Sequence, residues 1–239
     1  MGRAYAVREA SIKKNGAARG KIYSTFAKEI YLACKKGTPE IESNIELKRL
    51  VDKAKKQQVP NDIIDRAIQK AKGAGQEDYK KVLYEGFGPG ASTLVIETLT
   101  DNVNRTVGEV RAAFNKVHKS LGVTNSVMYN YEHLAIIGIK SDKFDELFER
   151  ILDAGIEIVD MENDDGLIVI TAKYEDNSHV KDVVETFIPG VEYEIDEVGY
   201  YSKDKITLEG EDKEVFDKLY KMLEDIEDVS EIYTNVTLE

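Results

Sequence analysis

Between Arg3 and Lys36 the chain carries nine basic residues, Arg3, Arg8, Lys13, Lys14, Arg19, Lys21, Lys28, Lys35 and Lys36, against only Glu9 and Glu29. Lys13, Lys14, Arg19 and Lys21 flank Gly16 and Gly20, which makes this a flexible cationic segment. Such a segment suits contacts to a phosphate backbone, which fix position and carry little sequence information. A solvated helix face would explain Lys28, and a helix C-terminus would explain Lys35 and Lys36. Neither explains the arm before Arg19. A second candidate is Asp101-Asn102-Val103-Asn104-Arg105-Thr106. With Asn104 as N-cap, Arg105 sets a cation against the positive end of a helix dipole, and an anion held by the helix amides and the guanidinium would relieve it. The alternative is an ion pair from Arg105 to Glu109 or Asp101. The third candidate is the loop Gly86-Phe87-Gly88-Pro89-Gly90. Its glycines either present backbone amides to a phosphate or another backbone, or close a tight hairpin.

Other chemistries lack a constellation. Gly86 to Ala91 matches the form of the dinucleotide fingerprint, but Ser92-Thr93-Leu94-Val95-Ile96 behind it reads as a strand, not as the helix that must receive a pyrophosphate. The single Cys34 allows no internal disulfide and no cysteine zinc cluster, and His118, His133 and His179 are too scattered for helical metal-ligand spacing. Neither a nucleophile-elbow, P-loop or zincin motif nor a calcium loop occurs, and the run Glu224-Asp225-Ile226-Glu227-Asp228 reads as a solvated acidic stretch. The expectation is a protein without enzymatic activity, bound metal or cofactor. An apolar run such as Leu134 to Ile139 is far short of the ~18 residues of a membrane span, and the charged start MGRAYAVREASIKK lacks the core of a signal peptide. A cytoplasmic protein without membrane partners is expected.

The net charge of −12 over 239 residues conceals a partition. Residues 1 to 81 hold 19 basic and 10 acidic side chains, and residues 82 to 239 hold 14 basic and 35 acidic ones. A module of charge +9 followed by a remainder of −21 points to a basic part that meets a polyanion while the rest stays clear of it.

The elements that position these residues follow from periodicity. Residues 1 to 18 have little apolar pattern and read as a mobile arm. Ile22, Phe26, Ile30 and Cys34 then recur every four residues as the buried stripe of a helix that ends at Gly37-Thr38-Pro39. Ser43 with Glu46 forms a capping box for a second helix, carrying Leu47, Leu50, Val51 and Ala54, and Asn61 caps a third, carrying Ile63, Ile64, Ala67 and Ile68. After residue 80 the period falls towards two. Lys81 to Tyr84 and Ser92 to Thr100 read as strands around the glycine loop, followed by a helix with Val107, Val110, Phe114 and Val117 and a strand with Val127, Tyr129 and Tyr131 on one face. From 134 the order strand, helix, strand, Asp-Gly hairpin, strand, helix, strand is that of a ferredoxin-like unit. Lys205 to Leu208, Val215 to Leu223 and Val229 to Val236 then add strand, helix and strand. The expected fold class is α+β, with an N-terminal three-helix domain and two ferredoxin-like α/β domains, one inserted into the other. The expected boundaries are 1–78, 79–133 with 200–239, and 134–199.

Arg19-Gly20-Lys21, Val59-Pro60, Tyr84-Glu85-Gly86-Phe87-Gly88-Pro89-Gly90, Asn104-Arg105-Thr106, Glu109-Val110-Arg111, Ser126-Val127, and Asp228-Val229 with Tyr233 and Asn235 resemble the YebC/PmpR family over nearly the whole chain. The resemblance implies a helical domain followed by two α/β domains, and no enzymatic activity. It also implies either a DNA-binding transcriptional regulator or a translation factor that meets ribosomal RNA on the ribosome and relieves stalling at proline-rich stretches. The family's N-terminal Gly-His-Ser-Lys-Trp-Ala is here Gly2-Arg3-Ala4-Tyr5-Ala6. Together these readings assign nucleic-acid contacts to Arg3, Arg8, Lys13, Lys14, Arg19, Lys21, Lys28, Asn104 and Arg105, and a backbone-contact loop to residues 86 to 90, in a monomer.

Overall fold

The computed structural model describes residues 19–73 and 78–238. Among the described residues three helices come first: α1 (Arg19–Lys36), α2 (Ile45–Lys56) and α3 (Asn61–Lys72). Phe26, Ile30 and Cys34 of the α1 stripe are buried against Leu47, Val51 and Ala54 of α2 and Ile64, Ala67 and Ile68 of α3. The corner between α1 and α2 is tied by Asn44. Its side-chain oxygen accepts from the Leu47 N–H at 3.0 Å, while its NH2 donates to the carbonyls of Ala33 and Thr38 at 3.0 and 2.8 Å. Asn44, not Ser43, is therefore the N-cap of α2, and Ser43 ends a short 3-10 turn. Only an amide caps one helix and binds the carbonyls leaving the previous one at the same time. Asn61 is likewise not a cap but the first helical residue, because the Pro60 carbonyl accepts from Ile63 and Ile64.

Two four-stranded antiparallel sheets follow, made from β1 (Lys80–Phe87), β2 (Thr93–Thr100), β3 (Ser120–Leu121), β4 (Tyr131–Lys140), β5 (Ile158–Asp164), β6 (Leu167–Lys173), β7 (Tyr193–Ser202) and β8 (Val229–Thr234). The chain is of the α+β class. The first sheet has the order β3-β1-β2-β8 and the second β5-β6-β4-β7, so the second is formed by chain inserted between β3 and β8 of the first. The order of the second sheet is that of a ferredoxin-like unit, while the first places its hairpin, β1 and β2, at the centre. Helices α4 (Val103–Lys116) and α7 (Gly210–Glu224) cover the first sheet, burying Val110, Phe114, Phe216 and Leu219 against Tyr84, Leu94 and Ile96. Helices α5 (Phe144–Asp153) and α6 (Asn177–Phe187) cover the second through Leu147, Ile151, Val180 and Val184. Asp165 and Gly166, with φ of 49° and 83°, form the expected hairpin turn between β5 and β6.

Two expected strands are absent from the described residues. Val127, Tyr129 and Tyr131 do not share a strand: Met128–Asn130 is a 3-10 turn, and the strand that begins at Tyr131 runs unbroken to Lys140. The reason is Glu85. Its buried carboxylate accepts from the N–H groups of Asn125, Val127 and Met128 at 2.6, 2.7 and 2.9 Å and bends that segment into a loop. Lys205 to Leu208 contributes only an isolated parallel bridge between Ile206 and Val236.

Candidate nucleic-acid interface

Of the basic residues assigned from sequence, Arg3, Arg8, Lys13 and Lys14 lie outside the described residues. Arg19 is exposed at the start of α1. Lys21 and Lys28 are two turns apart on α1, and both reach across to the first sheet unit. The Lys21 ammonium donates to the carbonyl of Glu224 at the end of α7. Burial pulls its pKa below the ordinary lysine value, against the opposing pull of Glu224, Glu231 and Asp225. The Lys28 ammonium donates to Asp228 Oδ1 at 3.1 Å and to the Leu99 carbonyl at 3.2 Å, and lies 5.7 Å from the centre of the Tyr79 ring.

Asp228 is the hub of the arrangement. The acidic stretch read as solvated from sequence is exposed at Glu224, Asp225 and Glu227, but its last carboxylate is only 4% exposed. Besides Lys28, it accepts from Thr100 Oγ1 at 3.0 Å, Thr106 Oγ1 at 2.8 Å, and Arg105 Nε and Nη2 at 3.2 and 2.6 Å. Burial alone would raise this carboxyl; the hydrogen bonds from Arg105, Thr106 and Lys28, with the charge of Lys28, bring it down to about 2.

Arg105 stands where expected, in the first turn of α4, but its cap is Asn102, whose side chain accepts from the Arg105 N–H at 3.1 Å. Asn104 is the second helical residue and points no hydrogen bond at the helix end; it is exposed. The cap falls two residues earlier because Thr100 Oγ1 accepts from the Asn102 N–H and holds that residue outside the helix, at φ −140° and ψ 90°. The Arg105 guanidinium also pairs with Asp101 at 2.8 Å. Of the two alternatives left by the sequence, the intramolecular ion pair is present, with Asp101 and the distant Asp228 as partners. No signal within the Asn104-Arg105-Thr106 motif could have revealed a partner 123 residues away.

The glycine loop closes on itself. Gly86 and Phe87 belong to β1, Gly88 N–H donates to the Ser92 carbonyl at 2.9 Å, and Ser92 donates to the Pro89 carbonyl through both its N–H and its hydroxyl. A Cβ on Gly86 would enter the Phe114 ring, and Gly90 takes a φ of +59° against Leu208 and Asp212. Packing and turn geometry thus demand these glycines, while Phe87 stays 41% exposed at the tip.

Lys28 and Tyr79 line two adjoining clefts between the helical unit and the first sheet unit. One, of about 600 Å³, also contains Asp101, Arg105, Glu109 and Asp228; the other, of about 310 Å³, contains Ser24, Tyr31, Arg66 and Lys70. Among the described residues no group of side chains is placed to hold a metal ion, and no helix is long and apolar enough to cross a membrane.

Residues 3–74 match the family model described as the TACO1/YebC protein N-terminal domain, and residues 79–236 match the one described as the TACO1/YebC second and third domain. Proteins named probable transcriptional regulatory protein are similar over the full chain. That of Chromohalobacter salexigens is 38% identical, covering 100% of both chains. That of Hydrogenovibrio crunogenus is 39% identical with the same coverage. The crystal structure of a conserved hypothetical protein, Aq1575 from Aquifex aeolicus, superposes with a TM-score of 0.70 at 30% identity, covering 92% of this chain and 91% of that one.

Proposed function

This chain belongs to the TACO1/YebC family, and from that premise we propose that it is a non-enzymatic regulator of gene expression that binds nucleic acid through its basic N-terminal part. The observation that carries the reading is the charge partition: 19 of 33 basic residues lie in the first 81, beside a remainder of −21. An acidic remainder repels a polyanion and leaves the basic part as the only face it can approach. Arg3, Arg8, Lys13, Lys14 and Arg19 supply phosphate contacts, and α1 continues them. Relatives named as transcriptional regulators favour DNA as the target; ribosomal RNA is the alternative with the same backbone chemistry. The protein works in the cytoplasm, as a monomer and without a cofactor.

Neutralising Lys13, Lys14, Arg19 and Lys21 together to glutamine tests this. Each lost phosphate contact should lower the slope of log affinity against log salt by ~0.9 on duplex DNA or ~0.7 on single strands. Binding measured from low to moderate salt should weaken and its salt dependence flatten. An unchanged slope refutes the assignment, and co-sedimentation with ribosomes beside a duplex-DNA gel shift identifies the target.

A further inference from the structure

Lys21, Lys28 and Lys35 recur every seven residues along α1. Seven residues are close to two full helical turns, so the three ammonium groups share one face at intervals of ~10 Å. Lys35 is exposed. The other two both meet the stretch of chain that leaves α7 and enters β8, with Glu224, Asp225, Glu227, Asp228 and Glu231 within eight residues, and Lys28 also donates to the Leu99 carbonyl. That stretch offers Lys21 a carbonyl and Lys28 a carboxylate. Closely spaced anions and acceptor oxygens set along a row of cations are what a phosphodiester backbone presents.

Three features make the cover removable. The apolar cluster of the helical unit closes on residues between Ile22 and Tyr79, and no apolar cluster of the sheet units among the described residues includes a residue of α1, α2 or α3. The junction is therefore made by long polar side chains, the type of interface that lets units of one chain move apart. Next, Asp228 keeps Thr100, Thr106 and Arg105 when Lys28 leaves, so opening strands no buried carboxylate. Finally, the clefts of about 600 and 310 Å³ lie on either side of Lys28 and Tyr79, so the junction is not packed shut. The depressed pKa of Lys21 agrees with this, since burial against the stretch costs its ammonium more than the nearby carboxylates return.

We propose that residues 224–231 act as an internal polyanion covering the cationic face of α1, and that a nucleic-acid backbone occupies that face by displacing them. The identity of the displacing partner rests on the nucleic-acid reading above. The cover itself does not.

The test compares the wild type with Glu224→Gln/Asp225→Asn/Glu227→Gln and with a control of equal charge change on α5, Glu146→Gln/Glu149→Gln/Asp153→Asn. The probes are a fluorescein-labelled 20-nucleotide RNA and a 20-base-pair DNA, read by anisotropy at ~0.1 M salt. Acetylation of each lysine, read by mass spectrometry, reports the cover without any nucleic acid. Lys21 and Lys28 should react more slowly than Lys35 in the wild type, and Lys21, which faces the charges of Glu224 and Asp225, should approach Lys35 in the acidic-stretch variant, while Lys28 keeps its Asp228 contact. That variant should bind at least one probe roughly tenfold more tightly, because a weakened cover leaves the binding-competent, open face more populated. The control should gain no more than about twofold, and adding Lys21→Gln/Lys28→Gln should abolish the tenfold gain. Equal gains in variant and control, or a gain that survives loss of both lysines, overturn the proposal. A Lys21 that becomes reactive with no gain in binding overturns nucleic acid as the displacing partner. If wild type, variant and control all fail to bind either probe, the functional reading itself falls.

Discussion

Lys28 reaches from α1 into the first sheet unit and Arg49 reaches from α2 into the second, yet the carboxylates they find sit in opposite settings. Asp228 is 4% exposed and has three other residues bonded to it. Asp182 and Glu185, which Arg49 meets at 3.0 and 3.3 Å, are 63% and 42% exposed on α6. The same pairing of opposite charges therefore has two energetic meanings. A carboxylate withdrawn from water must keep its donors or lose a large desolvation term, whereas an exposed one is resolvated when its partner leaves. The helical unit contributes one donor to the first kind of site and one to the second, and in neither does it supply the group on which the site depends. A basic unit joined in this way is held without being fixed.

The sharpest break of this comparison is Asp228→Ala. It removes the shared acceptor of Lys28, Thr100, Arg105 and Thr106, and breaking a buried pair of this kind costs about 3–5 kcal/mol. Urea unfolding should show that loss, while Lys28→Met should cost under about 1.5 kcal/mol because three donor residues remain on the carboxylate. Equal losses in the two variants would make Lys28 an integral member of the hub and not a removable one.

How much of this was legible in the sequence depends on distance along the chain. The α1 stripe, the Asp165-Gly166 turn and the αβ alternation of the inserted unit are local patterns, and the helix period or the turn chemistry determines them. Val127, Tyr129 and Tyr131 alternate just as a strand does, but a carboxylate some forty residues earlier, Glu85, takes the amides a ladder would need. The same holds at the site. The positions of Lys21, Lys28 and Arg105 on helix faces were readable; that their partners are Glu224 and Asp228 was not, because an acidic run reads as solvated until the fold buries its last member. The capping errors at Ser43 and Asn104 are of a third kind. Each has a competing side chain one or two residues away, Asn44 or Asn102, and contacts outside the helix decide between them.

Acid sharpens the comparison with a smaller effect. The folded Asp228 carboxyl lies at about 2, below its ordinary value of 3.8. A depressed carboxyl contributes stability that is fully present above the unfolded pKa and disappears as pH falls through the folded one. The hub's contribution, about 2 kcal/mol from a shift of this size, should thus hold above pH ~4 and vanish between pH ~4 and ~2. Other carboxylates titrate in the same window, so the measurement is the stability difference between wild type and Asp228→Asn across it. That difference should shrink by about 2 kcal/mol; a difference independent of pH would mean that Asp228 is not held by charge.

The smallest effect belongs to Arg49→Ala. Its guanidinium makes two ion pairs, which on a count of contacts would rank it above Lys28 with one. Exposure reverses the ranking. Both carboxylates keep water when the arginine is removed, and the arginine's own Nε is buried with no hydrogen-bond partner, so truncation also relieves an unsatisfied donor. The net cost should be under about 1 kcal/mol by urea unfolding and should fade further with added salt, as exposed pairs do. A loss at Arg49 as large as that at Asp228 would show that the second sheet unit, and not the first, anchors the helical unit, and the cover over Lys21 and Lys28 would then be a consequence of that anchor instead of a contact that opens by itself.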